Sequence, residues 1–268
     1  KTSMSTLLTH NDRGILHITL NRPESRNAMS LAMVQELLAE LESAAQDVSI
    51  RALVLRGAGG HFCAGGDIKD MASARGVKIT PDNDPIAALN RAFGKLLQVA
   101  NTQPQAVVCV LEGAVLGGGF GLACVSDVSI AASDCKFGLP ETSLGIIPAQ
   151  IAPFVVNRIG ITQARRLGVC GGRFDGTEAA RMGLVHFVET GAEALEARLT
   201  QVLADIRKCA PHASRVTKKL MLDVAPSLLT DGFLDNAAKL FSAAVLSDEG
   251  MEGTMAFIQK RPASWTTL

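Results

Sequence analysis

The chain has 268 residues, is 47% hydrophobic, and carries 26 Lys+Arg against 26 Asp+Glu, so its formal net charge is zero. That length and apolar content suit one large domain, or one domain with a small appendage, around a sizeable core. The charge balance argues against nucleic acid or an anionic membrane surface as the main partner, and no apolar run reaches the roughly 20 residues that span a bilayer.

Lys1 to Asp12 carries neither an apolar signal core nor an Arg/Ser-rich amphipathic pattern. Gly14 to Leu20 (GILHITL) reads as a strand closed by Asn21-Arg22-Pro23-Glu24. Ser30 then caps a helix predicted over Leu31 to Gln46, with apolar residues at Leu31, Val34, Leu37, Leu38 and Leu41. Arg51 to Leu55 (RALVL) is a short buried strand. A glycine-rich loop, Gly57 to Gly66, follows it, and a short helix opens near Asp67. Asp82 to Pro85 is a loop and Pro85 to Ala100 a helix. Ala106 to Leu111 (AVVCVL) is a second buried strand that runs into a second glycine-rich turn and an apolar helix, Gly118 to Val125. Val128 to Ala131 is a further strand. Apolar strands alternating with helices predict an α/β core rather than an antiparallel sandwich. From Gln150 onward helical spacing dominates, over Ala192 to Cys209 and again over Pro226 to Leu246. The composition shift places a boundary between residues 1–210 and a helical region, 211–268. The unit of strand, glycine loop and helix occurs twice, over residues 51–71 and 106–125.

Six cysteines, Cys63, Cys109, Cys124, Cys135, Cys170 and Cys209, stand singly, without CxxC spacing and mostly in apolar runs. They read as buried, reduced thiols of a cytoplasmic protein. The five histidines show no metal-ligand spacing, so no metal site is expected.

The two glycine loops carry the chemistry. In His61-Phe62-Cys63-Ala64-Gly65-Gly66-Asp67-Ile68-Lys69, adjacent glycines let a ligand approach the main chain, and the first N–H groups of the next helix point outward unpaired. Leu116-Gly117-Gly118-Gly119-Phe120-Gly121 has the same character. Taken singly, each loop is no more than a tight turn. Taken together, they can aim two N–H donors at one carbonyl oxygen, which is an oxyanion hole. Neither loop has the GxxxxGK form of a phosphate loop, and GGGFGL misses the GxGxxG register.

In order along the chain, NRPESRNAMS (Asn21 to Ser30), HFCAGGDIKDM (His61 to Met71), GAVLGGGFGLACVSDVSIA (Gly113 to Ala131), FGLPETSLGIIPA (Phe137 to Ala149), RFDGTEAARMGLVHFV (Arg173 to Val188) and EGTMAFIQKRPASW (Glu252 to Trp265) resemble the successive signatures of the crotonase (enoyl-CoA hydratase/isomerase) superfamily. The resemblance implies an α/β, ClpP-like fold in which ββα repeats stack as a right-handed spiral. It implies that residues 211–268 form a trimerisation region, and that the protein is a homotrimer or a dimer of trimers. An acyl-CoA thioester would be the partner. No separate cofactor is implied, since coenzyme A is part of the substrate. The family's oxyanion donors map to the amides of Gly66 and Gly118. Its coenzyme A contacts map to Ala64, Asp67, Ile68 and Lys69, mostly through backbone. Arg26 and Ala28 stand where the family approaches the phosphates and pantetheine arm, and Lys260 resembles a C-terminal cation that reaches coenzyme A. Each Lys or Arg can equally be a solvated surface charge.

Hydratases of this type use two glutamates to hold and activate water. One matches Glu141, in Leu139-Pro140-Glu141-Thr142. The position of the other is Gly121, which has no side chain. Glu141 is therefore the expected acid/base, a carboxylate whose pKa burial would bring towards neutrality. Glu112 and Asp134 are the neighbouring carboxylates. The strand register gives Glu112 no clear route to the pocket, and Asp134 sits in a polar turn. Ile146, Ile147, Ile151 and Phe154 are expected either to line an acyl pocket or to pack in the core. Three readings follow. The first is a hydratase for a branched or carboxylated enoyl-CoA, because GGGFGL, Ser143 to Val156 and Ala164 to Glu189 look similar to bacterial methylglutaconyl-CoA and isohexenylglutaconyl-CoA hydratases of leucine and acyclic-terpene breakdown. On that reading Gly121 leaves room for a bulky substituent. The second is a Δ3,Δ2-enoyl-CoA isomerase working with one glutamate. The third is a non-catalytic protein that binds a coenzyme A ligand.

Overall fold

The computed structural model describes residues 5–209, 211–224 and 230–263. Two strands open it, β1 (Leu7–Asp12) and β2 (Ile15–Leu20), paired antiparallel. Their hairpin turns on Arg13 and Gly14, both at positive φ (51° and 83°), which matches the twist of the flanking strands. β1 was not predicted. Only Leu7 of its six residues is buried, so it has no apolar alternation to read, and pairing with β2 makes it a strand.

After β2 the chain winds in one sense. α1 (Leu31–Gln46) leads to β3 (Ala52–Gly57), then α2 (Ile68–Ala74) and α3 (Pro85–Asn101). β4 (Ala106–Leu111), β5 (Ala114–Leu116) and α4 (Gly118–Cys124) form the next turn. β6 (Val128–Ala132), β7 (Lys136–Gly138) and α5 (Ala152–Cys170) form another. β8 (Arg173–Phe174), α6 (Gly176–Arg181), β9 (Phe187–Glu189) and α7 (Ala192–Lys208) complete the core. The main sheet has the order β1-β2-β3-β4-β6-β9, parallel from β2 onward, and a smaller sheet has the order β5-β7-β8. Parallel bridges at Met29↔Gly66 and Cys63↔Val115 extend the stacking beside the smaller sheet. Each turn thus adds a strand to the large sheet, a strand or bridge to the small one, and a helix: a mixed α/β spiral of ββα repeats.

The strands are apolar throughout because both faces of the large sheet are covered. Leu53, Leu55, Val107, Cys109 and Leu111 face one core with α1, α3 and α4. Ala52, Val54, Val108 and Val110 face a second core against Leu195, Leu199 and Val202 of α7. Cys63, Cys109, Cys124 and Cys135 are buried free thiols, as expected. Cys170 and Cys209 are instead exposed, because they close α5 and α7 at their solvent-facing C-termini. Among the described residues no helix is long and apolar enough to cross a membrane, and no cluster of residues could hold a metal ion.

α8 (Pro211–Val224), α9 (Asp231–Leu246) and α10 (Asp248–Ile258) follow. The helix expected from Pro226 begins at Asp231, capped by the hydroxyl of Thr230. Its predicted residues 226–229 lie outside those described. α9 packs along α3, where Arg91 pairs with Asp231 at 2.7 Å and with Asp235 at 2.9 Å. Ser242 donates to Asp84, the N-cap of α3.

Below the second glycine loop, Phe120, Phe137 and Phe174 form one aromatic cluster with centroid separations of 5.5 to 6.4 Å. Phe120 is fully buried and belongs to α4, so it anchors the loop to the small sheet. Phe120→Ala is expected to cost about 3–5 kcal/mol of folding stability, measured by denaturant unfolding. A cost below about 1 kcal/mol would show that the cluster does not hold α4 in place.

Candidate active site

The first glycine loop is held by side chains that precede it. Asn27 is fully buried at φ 57°, a left-handed position that asparagine tolerates. Its Oδ1 accepts from Arg22 N, and its Nδ2 donates to the carbonyls of Ala58 and His61 at 2.9 and 2.7 Å. The Arg22 guanidinium donates to Ala28 O and pairs with Asp67 at 2.9 Å. Asp67 also caps α2 by accepting from Lys69 N. The loop is laced to β5 as well, through Cys63 N→Ala114 O, Leu116 N→Cys63 O and Ala114 N→His61 Nδ1.

The second loop lies against the first. A Cβ on Gly65 would sit 3.4 Å from Leu116 O, and one on Gly117 would sit 3.5 Å from Gly65 Cα and 2.7 Å from Glu141 Oε1. Gly117 has φ 50° and ψ −113°, so both its conformation and its neighbours demand glycine. At Gly118 a Cβ would lie 3.0 Å from the ring of Phe93. Gly118 is the first residue of α4, ahead of the first intrahelical bond, Gly121 N→Gly117 O. Neither its N–H nor that of Gly66 has an acceptor among the described residues. Two uncommitted donors on touching loops can both bind one carbonyl oxygen.

Glu141 begins a short turn, residues 141–144, after Pro140. It is 8% exposed, and its Oε2 has no hydrogen-bond partner. Burial pushes its pKa up from 4.5 to about 7. Its own backbone N–H and the Arg173 guanidinium pull weakly the other way. Glu141, Gly66, Gly118 and Asp67 border one cleft of about 690 Å³, counted to its open mouth, with Ile146, Ile147 and Ile151 in its wall.

Other sequence-chosen residues fall elsewhere. Phe154 is 2% exposed in the main core and lines no part of the cleft. Ile68 is half-buried against the cluster of Met71 and Phe241, while Ala64 is half-buried in the first loop, donating to Arg26 O. Lys69 is exposed at the start of α2. Arg26 is exposed and borders a separate cavity with Glu112, Asp134 and Arg173, so neither of those carboxylates reaches Glu141's cleft. Lys260 is exposed beyond α10 and is no part of the cleft. Gly121 does not open onto free space. A Cβ there would meet Leu97 Cδ1 at 3.2 Å and Ile151 at 3.4 Å, so apolar side chains already fill the volume expected to receive a bulky substituent.

The sequence reading missed the cleft residues that come from helices distant along the chain: Leu89, Asn90 and Phe93 of α3, and Phe241 of α9. Their amphipathic spacing says only that one helix face is buried. Asn27 was within reach, since an asparagine after a tight turn favours left-handed backbone.

An unpaired buried carboxylate also costs stability. Below pH 4.5 Glu141 is protonated in folded and unfolded chains alike and costs nothing. Between 4.5 and about 7 the folded chain keeps a proton that the unfolded one releases, so stability falls as pH rises. Above that window the cost is about 3 kcal/mol. Glu141→Gln should therefore be more stable than the parent by up to about 3 kcal/mol at about pH 8, with the gain vanishing on acidification. Denaturant unfolding across pH checks this, and a pH-independent difference would contradict the burial argument.

The model of the family described as enoyl-CoA hydratase/isomerase matches residues 10–267. Pseudomonas aeruginosa AtuE is 61% identical, with TM-score 0.80 over 97% of this chain and 99% of that one. An enoyl-CoA hydratase/isomerase from Marinobacter aquaeolei is 55% identical, with TM-score 0.81 over 97% and 98%. The 2,3-dehydroadipyl-CoA hydratase of Escherichia coli is 31% identical over 259 residues, 96% of this chain and 97% of that protein. The order of sheet, loops and buried glutamate and the match over almost the whole length agree: the chain belongs to the enoyl-CoA hydratase/isomerase family.

Proposed function

We propose that this hydratase-type lyase adds water across the α,β double bond of a branched or carboxylated enoyl-CoA, of the 3-methylglutaconyl- or isohexenylglutaconyl-CoA type. The observation that carries the reading is one neutral-range carboxylate, Glu141, set in a cleft whose walls are Met29, Val34, Leu89, Ile146, Ile147 and Phe241. Such walls suit a branched hydrocarbon chain, whose burial contributes roughly 25 cal/mol per Å². The carboxylated alternative draws support from the E. coli relative, whose named substrate bears a second carboxyl group.

In this reaction the thioester oxygen accepts from Gly66 N–H and Gly118 N–H. Water attacks the β carbon, and Glu141 takes its proton while the π electrons move to the thioester oxygen as an enolate. Glu141-H then returns the proton to the α carbon. Asp67, which lines the cleft, and its neighbours Ala64, Ile68 and Lys69 take the coenzyme A portion in this reading, together with Arg26 and Ala28. A second reading, Δ3,Δ2 isomerisation, is favoured by Glu141 standing, among the described residues, without a second free carboxylate in the cleft, since Asp67 is bound to Arg22. One carboxylate can carry a proton between two carbons without water.

Turnover of crotonyl-, 3-methylcrotonyl-, 3-methylglutaconyl-, isohexenylglutaconyl- and 3-enoyl-CoA, read by product mass, separates these. Hydration of a branched substrate adds the mass of water. A shifted double bond at unchanged mass on the 3-enoyl substrate alone would establish isomerisation instead. Because Glu141 must start ionised, kcat/KM should rise with pH and level off above an inflection near its pKa of about 7. Glu141→Gln should lose about 10²–10⁴-fold in kcat. A variant with parental turnover would remove Glu141 from the reaction.

A further inference from the structure

Adding water requires more than a base. The attacking water gives one O–H to Glu141, and its other O–H needs an acceptor that turns the oxygen lone pair towards the β carbon. Among the described residues, four polar side chains line the cleft: Asp67, Asn90, Glu141 and Gln150. Asp67 is spent on Arg22 and the cap of α2. Gln150 donates its Nε2 to Leu234 O at 2.8 Å, and its Oε1 is lodged on α3, 1.9 Å from where a Cβ of Gly94 would be. That oxygen also lacks a hydrogen-bond partner, but it is packed onto the helix at Gly94. Asn90 remains.

Asn90 lies three residues before Phe93 on α3, so the two share a helix face. Phe93 covers Gly118, one of the two glycines with a free amide. The Oδ1 of Asn90 is buried without a hydrogen-bond partner, and among the described residues its side chain makes no hydrogen bond at all. Buried amide oxygens are nearly always satisfied; among the described residues those of Asn90, Gln98, Gln103 and Gln150 are not, and of these residues Asn90 and Gln150 line the cleft. A residue that only filled this place in an apolar wall would be better replaced by leucine, so a free carbonyl here points to a ligand that donates.

We propose that Asn90 holds the attacking water: its side-chain carbonyl accepts one O–H while Glu141 accepts the other. This rests on the hydratase reading above. Asn90 neither gains nor loses a proton in the step. The O–H it holds becomes the hydroxyl of the product, the proton on Glu141 goes to the α carbon, and the π electrons pass to the thioester oxygen and back. Being neutral, the amide supplies an acceptor without the repulsion that a second carboxylate would bring to the buried Glu141, on which Arg173 is the charged group that acts. The acceptor missing at Gly121 of α4 is thereby provided from α3.

Two variants test it. Asn90→Leu, folded by circular dichroism, should lose about 10²-fold in hydration kcat with KM for the acyl-CoA little changed, as expected for a lost positioning contact. Asn90→Asp keeps the shape and an acceptor oxygen but adds charge, so the inflection of its kcat/KM profile should move above the parental value. A role in packing alone would not give Asn90→Leu a fall in kcat with KM unchanged. Parental hydration in Asn90→Leu, or an unmoved inflection in Asn90→Asp, would overturn the proposal. If Asn90→Leu does not fold, the Asn90→Asp profile decides. A parent protein that shifts double bonds but adds no water to any substrate would overturn the hydratase reading itself, and the parent is measured first.

Discussion

Two stretches of main chain meet with nothing between them. Gly65 faces the Leu116 carbonyl and Gly117, and the carboxylate of Glu141 stands against Gly117 as well. Any side chain at residue 117 would push the loops apart and displace that carboxylate. Much of the surrounding structure serves this contact. Asn27 and Arg22 brace the first loop from behind, and β5 and the phenylalanine cluster brace the second. The two unpaired amides are a by-product of the same geometry, because each precedes the point where its helix begins to satisfy its own donors.

The contact sets the electrostatics too. Glu141 sits over glycine main chain and beside aliphatic side chains, so little water reaches it and one oxygen lacks any partner. A carboxyl so placed titrates near neutrality, where it can both take and return a proton. The destabilisation accompanies function because a solvated or ion-paired glutamate, with its lower pKa, would be too weak a base to take a proton. Arg173 moderates the shift without forming an ion pair.

The cleft is a composite. Its floor comes from residues 146–151, one wall from α3, another from Phe241 of α9, and a further edge from the two loops. α9 packs along α3 through its buried face, with Arg91 binding Asp231 and Asp235 at the rim, so a segment some 140 residues away from α3 closes the apolar end. Leu97 and Ile151 close over Gly121. The surroundings of Gly121 are therefore packed rather than left as space.

The local elements were legible in the chain: buried strands from unbroken apolar runs, helices from the Ser30 cap and from apolar spacing, glycine loops from their composition, and Glu141 from its place in an ordered set of signatures. These depend on near neighbours, and their physics is written over a few residues. β1 was not legible, because an exposed edge strand exists only through its partner. Nor was the filling of Gly121's surroundings, the removal of Phe154 to the core, or the freedom of Asn90. Each depends on which side chains from distant segments arrive at one place. Sequence alone determined which groups could do the chemistry. Tertiary structure decided which were already committed to other partners and which were left free, because hydrogen-bond satisfaction and burial are properties of the packed neighbourhood and not of the residue.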